Sequence, residues 1–150
     1  MNELYLEDLA PGQIYRSGRR VMTAESIKAF ASEFDPQPFH VDEEAGKRSL
    51  FGGLAASGWH TAAVTMRLIV DGTLKPAGGY IGARLEEIQW PRPVWPGDEL
   101  RVESEILEVR PSESRLDHGW IKVRSTTLNQ NDQPVQIYVG NLIVRRRPSE

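Results

Sequence analysis

Hydrophobic and polar positions alternate along most of the chain after residue 78, which is the pattern of β-strands. Val, Ile, Leu, Thr and aromatic residues are enriched in these stretches, and Pro, Gly, Asn and Asp separate them. The predicted strands are an early one at 13–22 and four later ones at 80–90, 99–109, 115–128 and 135–146. Because the connections are short, consecutive strands are expected to pair in antiparallel orientation.

The part of the chain before residue 78 carries the spacing of helices instead. Hydrophobic residues recur every three or four positions from Ile27 to Phe34, and this helix is expected to end at Asp35 because Pro36 follows. One or two helical turns are predicted at 42–48. A longer helix is predicted from Gly58 to Val70, where nearly every residue is apolar or small. A helix that is apolar on every face is expected to be buried on every face.

Helices that precede a run of strands indicate an α+β domain. We expect one domain over residues 1–150, in which a curved antiparallel sheet is rolled around the apolar helix at 58–70. Strands of ten residues or more leave an open sheet edge, and pairing with a second copy of the chain would cover it. A homodimer or a larger homo-oligomer is therefore expected.

Composition narrows the class of protein. Hydrophobic content of 39% with 26% charged residues is typical of a soluble globular protein, and no apolar run approaches the ~20 residues of a membrane span. The absence of Cys excludes disulfides, thiolate catalysis and Cys-ligated zinc. It fits a cytoplasmic location, as does an N-terminus without the blocks of a signal peptide. The net charge of −3 argues against nucleic acid as the main partner.

The stretch FDPQPFHVD, residues 34–42, places a carboxylate and an imidazole five residues apart. Pro36 and Pro38 fix their own φ angles and disfavour helix in the residues before them, so we expect a rigid, non-helical loop. Asp35 and His40 are suited to share one water molecule, because histidine titrates near neutral pH and a carboxylate orients or deprotonates water. An extended chain would separate them by roughly 15 Å, so the loop has to fold back for both to face one cavity.

The same residues also have a purely structural interpretation. An Asp before Pro commonly ends a helix through a side-chain to backbone turn, and a His beside a Phe is often an ordinary surface or core residue. Judged on this stretch alone, the structural interpretation is the more common one, and a proton-transfer site is the alternative.

The order of the elements and several motifs resemble the MaoC-like, R-specific enoyl-CoA hydratase group of the hot dog fold. The resemblance runs through YLEDLAPGQ, DPQPFHVDEEAGK, FGGLAASGWHT and PRPVWPGDEL, which together span most of the chain. The family pattern DxNPxHxD corresponds to residues 35–42, so the resemblance implies that Asp35 and His40 are the catalytic pair. It also implies that the junction of Ser57 and Gly58, at the start of the central helix, holds the thioester carbonyl of the substrate with free backbone amides.

Addition of water to an α,β-unsaturated thioester needs a base, an acid for the α-carbon and donors to the enolate oxygen. The resemblance implies an acyl-CoA substrate and no cofactor beyond the CoA that belongs to it. The first amides of a helix near Gly58 suit the enolate oxygen, because they are unpaired and lie at the positive end of the helix dipole. Ser57 has a competing role as a plain N-cap, which is favoured over direct substrate contact.

Three positions depart from the usual residues of that family. Gln37 stands where Asn is usual and has a longer side chain. Phe34 stands where Gly is frequent and is expected to narrow the acyl pocket, and Ser57 stands where His is frequent. These differences bear on the preferred acyl chain and leave the acid–base pair intact.

Two alternatives to a hydratase stay open. A hot dog thioesterase would need an acid or a nucleophile on the central helix, but residues 58–70 contain no Asp or Glu. A non-catalytic acyl-thioester-binding subunit would be expected to lack the Asp and His pair, which is present. The histidines at 40, 60 and 118 have no metal-ligand spacing, so no metal site is expected, and His60 is expected to be a hydrogen-bonded core or interface residue.

Overall fold

Five strands form one curved antiparallel sheet in the computed structural model, which describes residues 3–149. The strands are β1 (Ile14–Val21), β2 (Ile81–Gln89), β3 (Glu99–Pro111), β4 (His118–Leu128) and β5 (Pro134–Arg145). Their order across the sheet is β1-β3-β4-β5-β2, and every neighbouring pair is antiparallel. The predicted α+β class and the predicted strands are confirmed.

The helices are α1 (Ala24–Phe34), α2 (Pro38–Val41), α3 (Glu43–Arg48) and α4 (Gly58–Asp71). Helix α1 ends as predicted, with Asp35 as its C-cap. The prediction of a non-helical loop between Phe34 and Asp42 is wrong, because α2 lies within it. Pro38 is the first residue of α2, where its fixed φ suits a helix and its missing N–H would have had no partner.

Strand β2 departs from the predicted pairing of consecutive strands. It pairs with β5 and not with β3, because residues 90–98 carry the chain away from the β2 edge of the sheet. This crossing segment is held by the N–H of Ala56, which donates to the carbonyl of Val94 at 2.9 Å. The N–H of Met22 donates to the carbonyl of Asp98 at 2.7 Å and holds its other end. The segment therefore passes beside the residues that lead into α4.

Helix α4 packs one face on the sheet. Val64 and Leu68 are buried in the same cluster as Val102 and Val135 of strands β3 and β5. On another face, Trp59 is 57% exposed. The prediction of a helix buried on every face is therefore wrong for the single chain, because the described residues leave part of α4 uncovered.

Candidate active site

The short helix α2 turns the chain so that Asp35 and His40 meet. The N–H of His40 donates to the carbonyl of Gln37 at 2.9 Å, which closes a turn around Pro38. Nε2 of His40 lies 3.5 Å from Oδ2 of Asp35, and both side chains are largely buried. The predicted folding back of this stretch is confirmed, and a helical turn achieves it.

The ring of His40 is oriented by the backbone that leads into α4. Its Nδ1 lies 2.6 Å from the carbonyl oxygen of Ala55. A carbonyl oxygen only accepts, so Nδ1 carries the hydrogen, and in the neutral ring Nε2 is left as an acceptor that faces Asp35. The N–H of Ala55 in turn donates to the carbonyl of Phe39 at 3.1 Å. Helix α2 and the segment before α4 therefore fix each other.

Two side chains hold the carboxylate of Asp35. Gln37 Nε2 donates to Oδ1 at 2.7 Å, and Ser57 Oγ donates to Oδ2 at 2.7 Å. Burial raises the pKa of Asp35, but these two hydrogen bonds, together with the charge that His40 carries when it is protonated, lower it below its ordinary value of 3.8. Asp35 is therefore ionised at neutral pH, and Gln37 reaches the carboxylate despite its longer side chain.

The start of α4 lies against this pair. Ser57 is fully buried, and its Oγ accepts from the N–H of Trp59 at 3.2 Å while it donates to Asp35. The predicted N-cap role of Ser57 is confirmed. The N–H of Gly58 donates to no other residue in the described part of the chain. It is a free donor at the positive end of the α4 dipole.

Asp35, His40 and Gly58 line one cavity of about 340 Å³, which we call the acid–base cavity. The side chains of Trp59 and Trp90 are also part of its lining. Three of the four predicted site residues therefore face the same space. Ser57, the fourth, lies behind Asp35 and is buried.

Phe34 lies outside this cavity. Its side chain is 64% exposed, and its ring packs on Phe30 with the centroids 5.1 Å apart. It is not among the residues that line the acid–base cavity. The prediction that Phe34 narrows the acyl pocket is therefore wrong, because the residue stands on the solvent side of the last turn of α1.

Sequence reasoning missed two residues of the site. Ala55 acts through its carbonyl oxygen, which every residue type carries, so no sequence signal marks it. Trp59 belongs to the apolar run of α4 and is not distinguished there from core positions. One feature of its position does set it apart. Trp59 directly follows Gly58, whose free N–H at the start of the helix is a candidate donor to a carbonyl oxygen.

His60 lies on α4 but does not belong to the acid–base pair. Its ring stacks on Phe30 with the centroids 4.7 Å apart, and its Nδ1 is buried without a hydrogen-bond partner among residues 3–149. The expectation of a hydrogen-bonded ring is therefore wrong for this nitrogen. Burial, with a smaller contribution from the charge of Arg20, lowers the pKa of His60. In the same range of residues, no cluster of three or more His, Asp or Glu is placed to hold a metal ion.

Comparison with known proteins identifies a family and relatives of both similar and greater length. The family described as MaoC like domain matches residues 8–128. The chain is 32% identical over 139 residues to the uncharacterized protein YdeM of Bacillus subtilis strain 168, which is 93% of this chain and 96% of that protein. It is 38% identical over 61 residues to the mesaconyl-CoA hydratase of Cereibacter sphaeroides, which is 41% of this chain and 18% of that longer protein.

A solved structure agrees with these matches. The MaoC-like dehydratase from Rhodospirillum rubrum superimposes with a TM-score of 0.94 at 55% identity and covers 97% of this chain and 99% of that one. The sheet, the helix α4 and this superposition define a hot dog domain. The chain belongs to the MaoC-like dehydratase family, and the resemblance seen in its motifs is confirmed. The domain limits of 1–150 stay a prediction.

Proposed function

We propose that this protein is a hydratase that adds water reversibly to the double bond of a 2-enoyl-CoA thioester to form a 3-hydroxyacyl-CoA. The observation that carries the proposal is the approach of Asp35 and His40 to 3.5 Å, in a cavity that also contains the start of α4. Membership of the MaoC-like dehydratase family and the similarity to a mesaconyl-CoA hydratase support a reaction of this type.

One water molecule is held between the pair in the proposed mechanism. Nε2 of neutral His40 and the carboxylate of Asp35 are both acceptors, so each takes one hydrogen of the water. The lone pairs of the water oxygen then point away from both side chains and toward the β-carbon of the substrate. As the new C–O bond forms, the pair takes one proton from the water and delivers one proton to the α-carbon, and water is thereby added across the double bond.

The free N–H of Gly58 is the proposed donor to the thioester carbonyl. Negative charge moves onto that oxygen as the enolate forms, and a fixed donor at the positive end of a helix dipole stabilises it. Gly at this position leaves room for the indole of Trp90, because a Cβ atom would meet its Cε2 at 2.6 Å. Ser57 is fully buried, so its proposed contribution is to hold Asp35 and not to touch the substrate.

The proposed chemistry uses side chains and a backbone amide of the chain itself, and CoA enters only as part of the substrate. No separate cofactor is required. None of the helices within residues 3–149 is long and apolar enough to cross a membrane. The cytoplasmic location and the absence of a nucleic-acid partner stay predictions from the sequence.

Purified protein mixed with short and medium 2-enoyl-CoA thioesters should remove the absorbance of the conjugated double bond. Release of free CoA thiol would indicate a thioesterase instead. Binding of acyl-CoA with neither reaction would indicate a non-catalytic subunit. Absence of hydration at every chain length would defeat the proposal.

Ser57→Ala should weaken both the fold and the reaction, because it removes the cap of α4 and one donor to Asp35. We expect the free energy of unfolding to fall by about 0.5–2 kcal/mol in urea titrations, and the hydration rate to fall with it. Thr23→Ala is the matched control, since Thr23 caps α1 by accepting from the N–H of Ser26 at 3.0 Å. Thr23→Ala should lower the free energy of unfolding by a similar amount and leave the hydration rate unchanged. Equal rates in the two variants would contradict the link between Ser57 and the carboxylate.

We further propose that two copies of the chain pair through β2. This strand lies at one edge of the sheet, and nearly all of its residues are exposed in the single chain, Leu85 at 53% among them. An edge strand offers a row of backbone donors and acceptors that a second β2 would match. Such pairing would continue the sheet across both copies.

Ile81→Lys should separate the two copies, because it places a charge on the exposed surface of β2. Light scattering on a sizing column is expected to give the mass of two chains for the wild type and a shift toward one chain for the variant. Ile14→Lys is the matched control on β1, at the opposite edge of the sheet and with similar exposure. It should leave the mass unchanged. A single-chain mass for the wild type would contradict the proposed pairing.

A further inference from the structure

Two cavities share one aromatic wall in this domain. The acid–base cavity has a volume of about 340 Å³, and a second, mostly apolar cavity of about 320 Å³ lies between α4, β2 and β5. We call the second one the apolar groove. Trp59 lines both cavities, whereas Met66 and Leu85 line the groove and not the acid–base cavity. Trp59 therefore stands between the two spaces.

Trp90 forms the fixed part of this wall. Its Nε1 donates to Oε1 of the buried Gln136 at 2.9 Å, and Nε2 of Gln136 donates to Oγ1 of Thr65 at 3.2 Å. The indole also lies directly on the backbone of Gly58, where a Cβ atom would meet Cε2 of Trp90 at 2.6 Å. Hydrogen bonding and packing together hold Trp90 against the start of α4.

Trp59 forms the exposed part of the wall. Its ring meets Trp90 edge to face, with the centroids 5.4 Å apart. Trp59 directly follows Gly58, the candidate donor to the thioester carbonyl. An acyl chain that extends from that carbonyl toward the groove therefore meets the indole of Trp59 first.

We propose that Trp59 sets an upper limit on the acyl chain and makes this protein selective for short acyl thioesters. The inference rests on the proposed hydratase function and names its substrate class. With the wall in place, the acyl chain and the thioester share about 340 Å³, near the lower end of the ~300–1,000 Å³ of small-molecule sites. A longer chain needs the apolar groove, from which the indole separates it.

Trp59→Ala should join the two cavities and shift the chain-length preference. We expect the ratio of kcat/KM for 2-octenoyl-CoA to that for crotonyl-CoA to rise by about 10–200-fold, the range that added apolar contacts give in a hydrophobic pocket. Trp59→Leu should change the ratio in the same direction by a smaller factor. Trp59 is mostly exposed, so both variants are expected to fold, and light scattering checks that their mass is that of the wild type.

Met66→Trp supplies the matched control, because Met66 lines the groove and does not line the acid–base cavity. In the wild-type background this substitution should leave the ratio unchanged, since the acyl chain does not reach the groove. In the Trp59→Ala background it should refill the groove and reverse the gain for 2-octenoyl-CoA. The interaction between the two substitutions thus reports where the longer chain lies.

Two results would overturn the limit set by Trp59. One is an unchanged ratio in Trp59→Ala, and the other is a wild type that hydrates 2-octenoyl-CoA well and loses that activity on Met66→Trp. Failure of the hydratase proposal is a separate result, namely no turnover of crotonyl-CoA by the wild type. In that case calorimetry on the binding of butyryl-CoA and octanoyl-CoA tests whether Trp59 limits the length of the acyl chain. Trp59→Ala should then raise the affinity for octanoyl-CoA by at least about tenfold relative to the affinity for butyryl-CoA. Equal effects on the two affinities, or no binding of either thioester, would overturn the inference.

Discussion

Asp35→Asn should lower kcat for 2-enoyl-CoA hydration by about 10²–10⁴-fold. In the wild type, hydrogen bonds from Gln37 and Ser57 hold the carboxylate ionised beside His40. An amide of the same shape cannot take a proton from water, and it presents an N–H₂ group where one of the carboxylate acceptors was. Initial rates of absorbance loss at saturating crotonyl-CoA measure the effect.

Asp42→Asn is the matched control for this substitution. Asp42 lies in the same motif, is exposed, and caps α3 by accepting from the N–H of Ala45 at 3.0 Å. Asn caps a helix about as well as Asp, so the variant should keep its stability and its rate. A fall of less than about tenfold in Asp35→Asn, or equal falls in the two variants, would remove Asp35 from the mechanism.

Local physical chemistry accounts for what could be predicted from the sequence. Alternation of hydrophobic residues located all five strands, and Pro36 located the end of α1 and with it the position of Asp35. The approach of His40 to Asp35 was predicted because an extended chain would hold the two side chains too far apart to share one water molecule. No turn was recognised in the sequence. The sequence does not reveal the turn itself, because Pro38 disfavours helix in the residue before it, whereas at the first position of α2 it favours one.

Contacts between distant parts of the chain account for the rest. The place of β2 beside β5 depends on how residues 90–98 cross the molecule, and nothing within β2 marks its partner. The carbonyl of Ala55 orients His40 across fifteen positions, through a group that carries no side-chain identity. The wall formed by Trp59 and Trp90 depends on that same crossing segment. The approach of Asp35 and His40 was therefore predictable from one motif, while the shape of the cavity around them was not.

His40→Asn should lower kcat by about 10²–10⁴-fold. The variant should keep the hydrogen bond that anchors this side chain to the carbonyl of Ala55. The amide nitrogen of Asn stands as many bonds from Cα as Nδ1 of His, so it can still donate to the carbonyl of Ala55. It cannot place an acceptor where Nε2 lies, 3.5 Å from Asp35. Steady-state kinetics with crotonyl-CoA should show a fall in kcat at nearly constant KM, because the contact at Gly58 is unchanged.

His40→Ala separates the anchoring of the loop from the chemistry. It leaves the buried carbonyl of Ala55 without its donor, which costs about 1–3 kcal/mol in the free energy of unfolding, and it removes the edge-to-face packing on Phe39 at 4.6 Å. We therefore expect similar losses of activity in the two His40 variants, but a large fall in the urea midpoint for His40→Ala alone. If His40→Asn instead keeps the wild-type kcat, the imidazole serves only to hold α2 against the segment before α4, and proton transfer belongs to Asp35 without it.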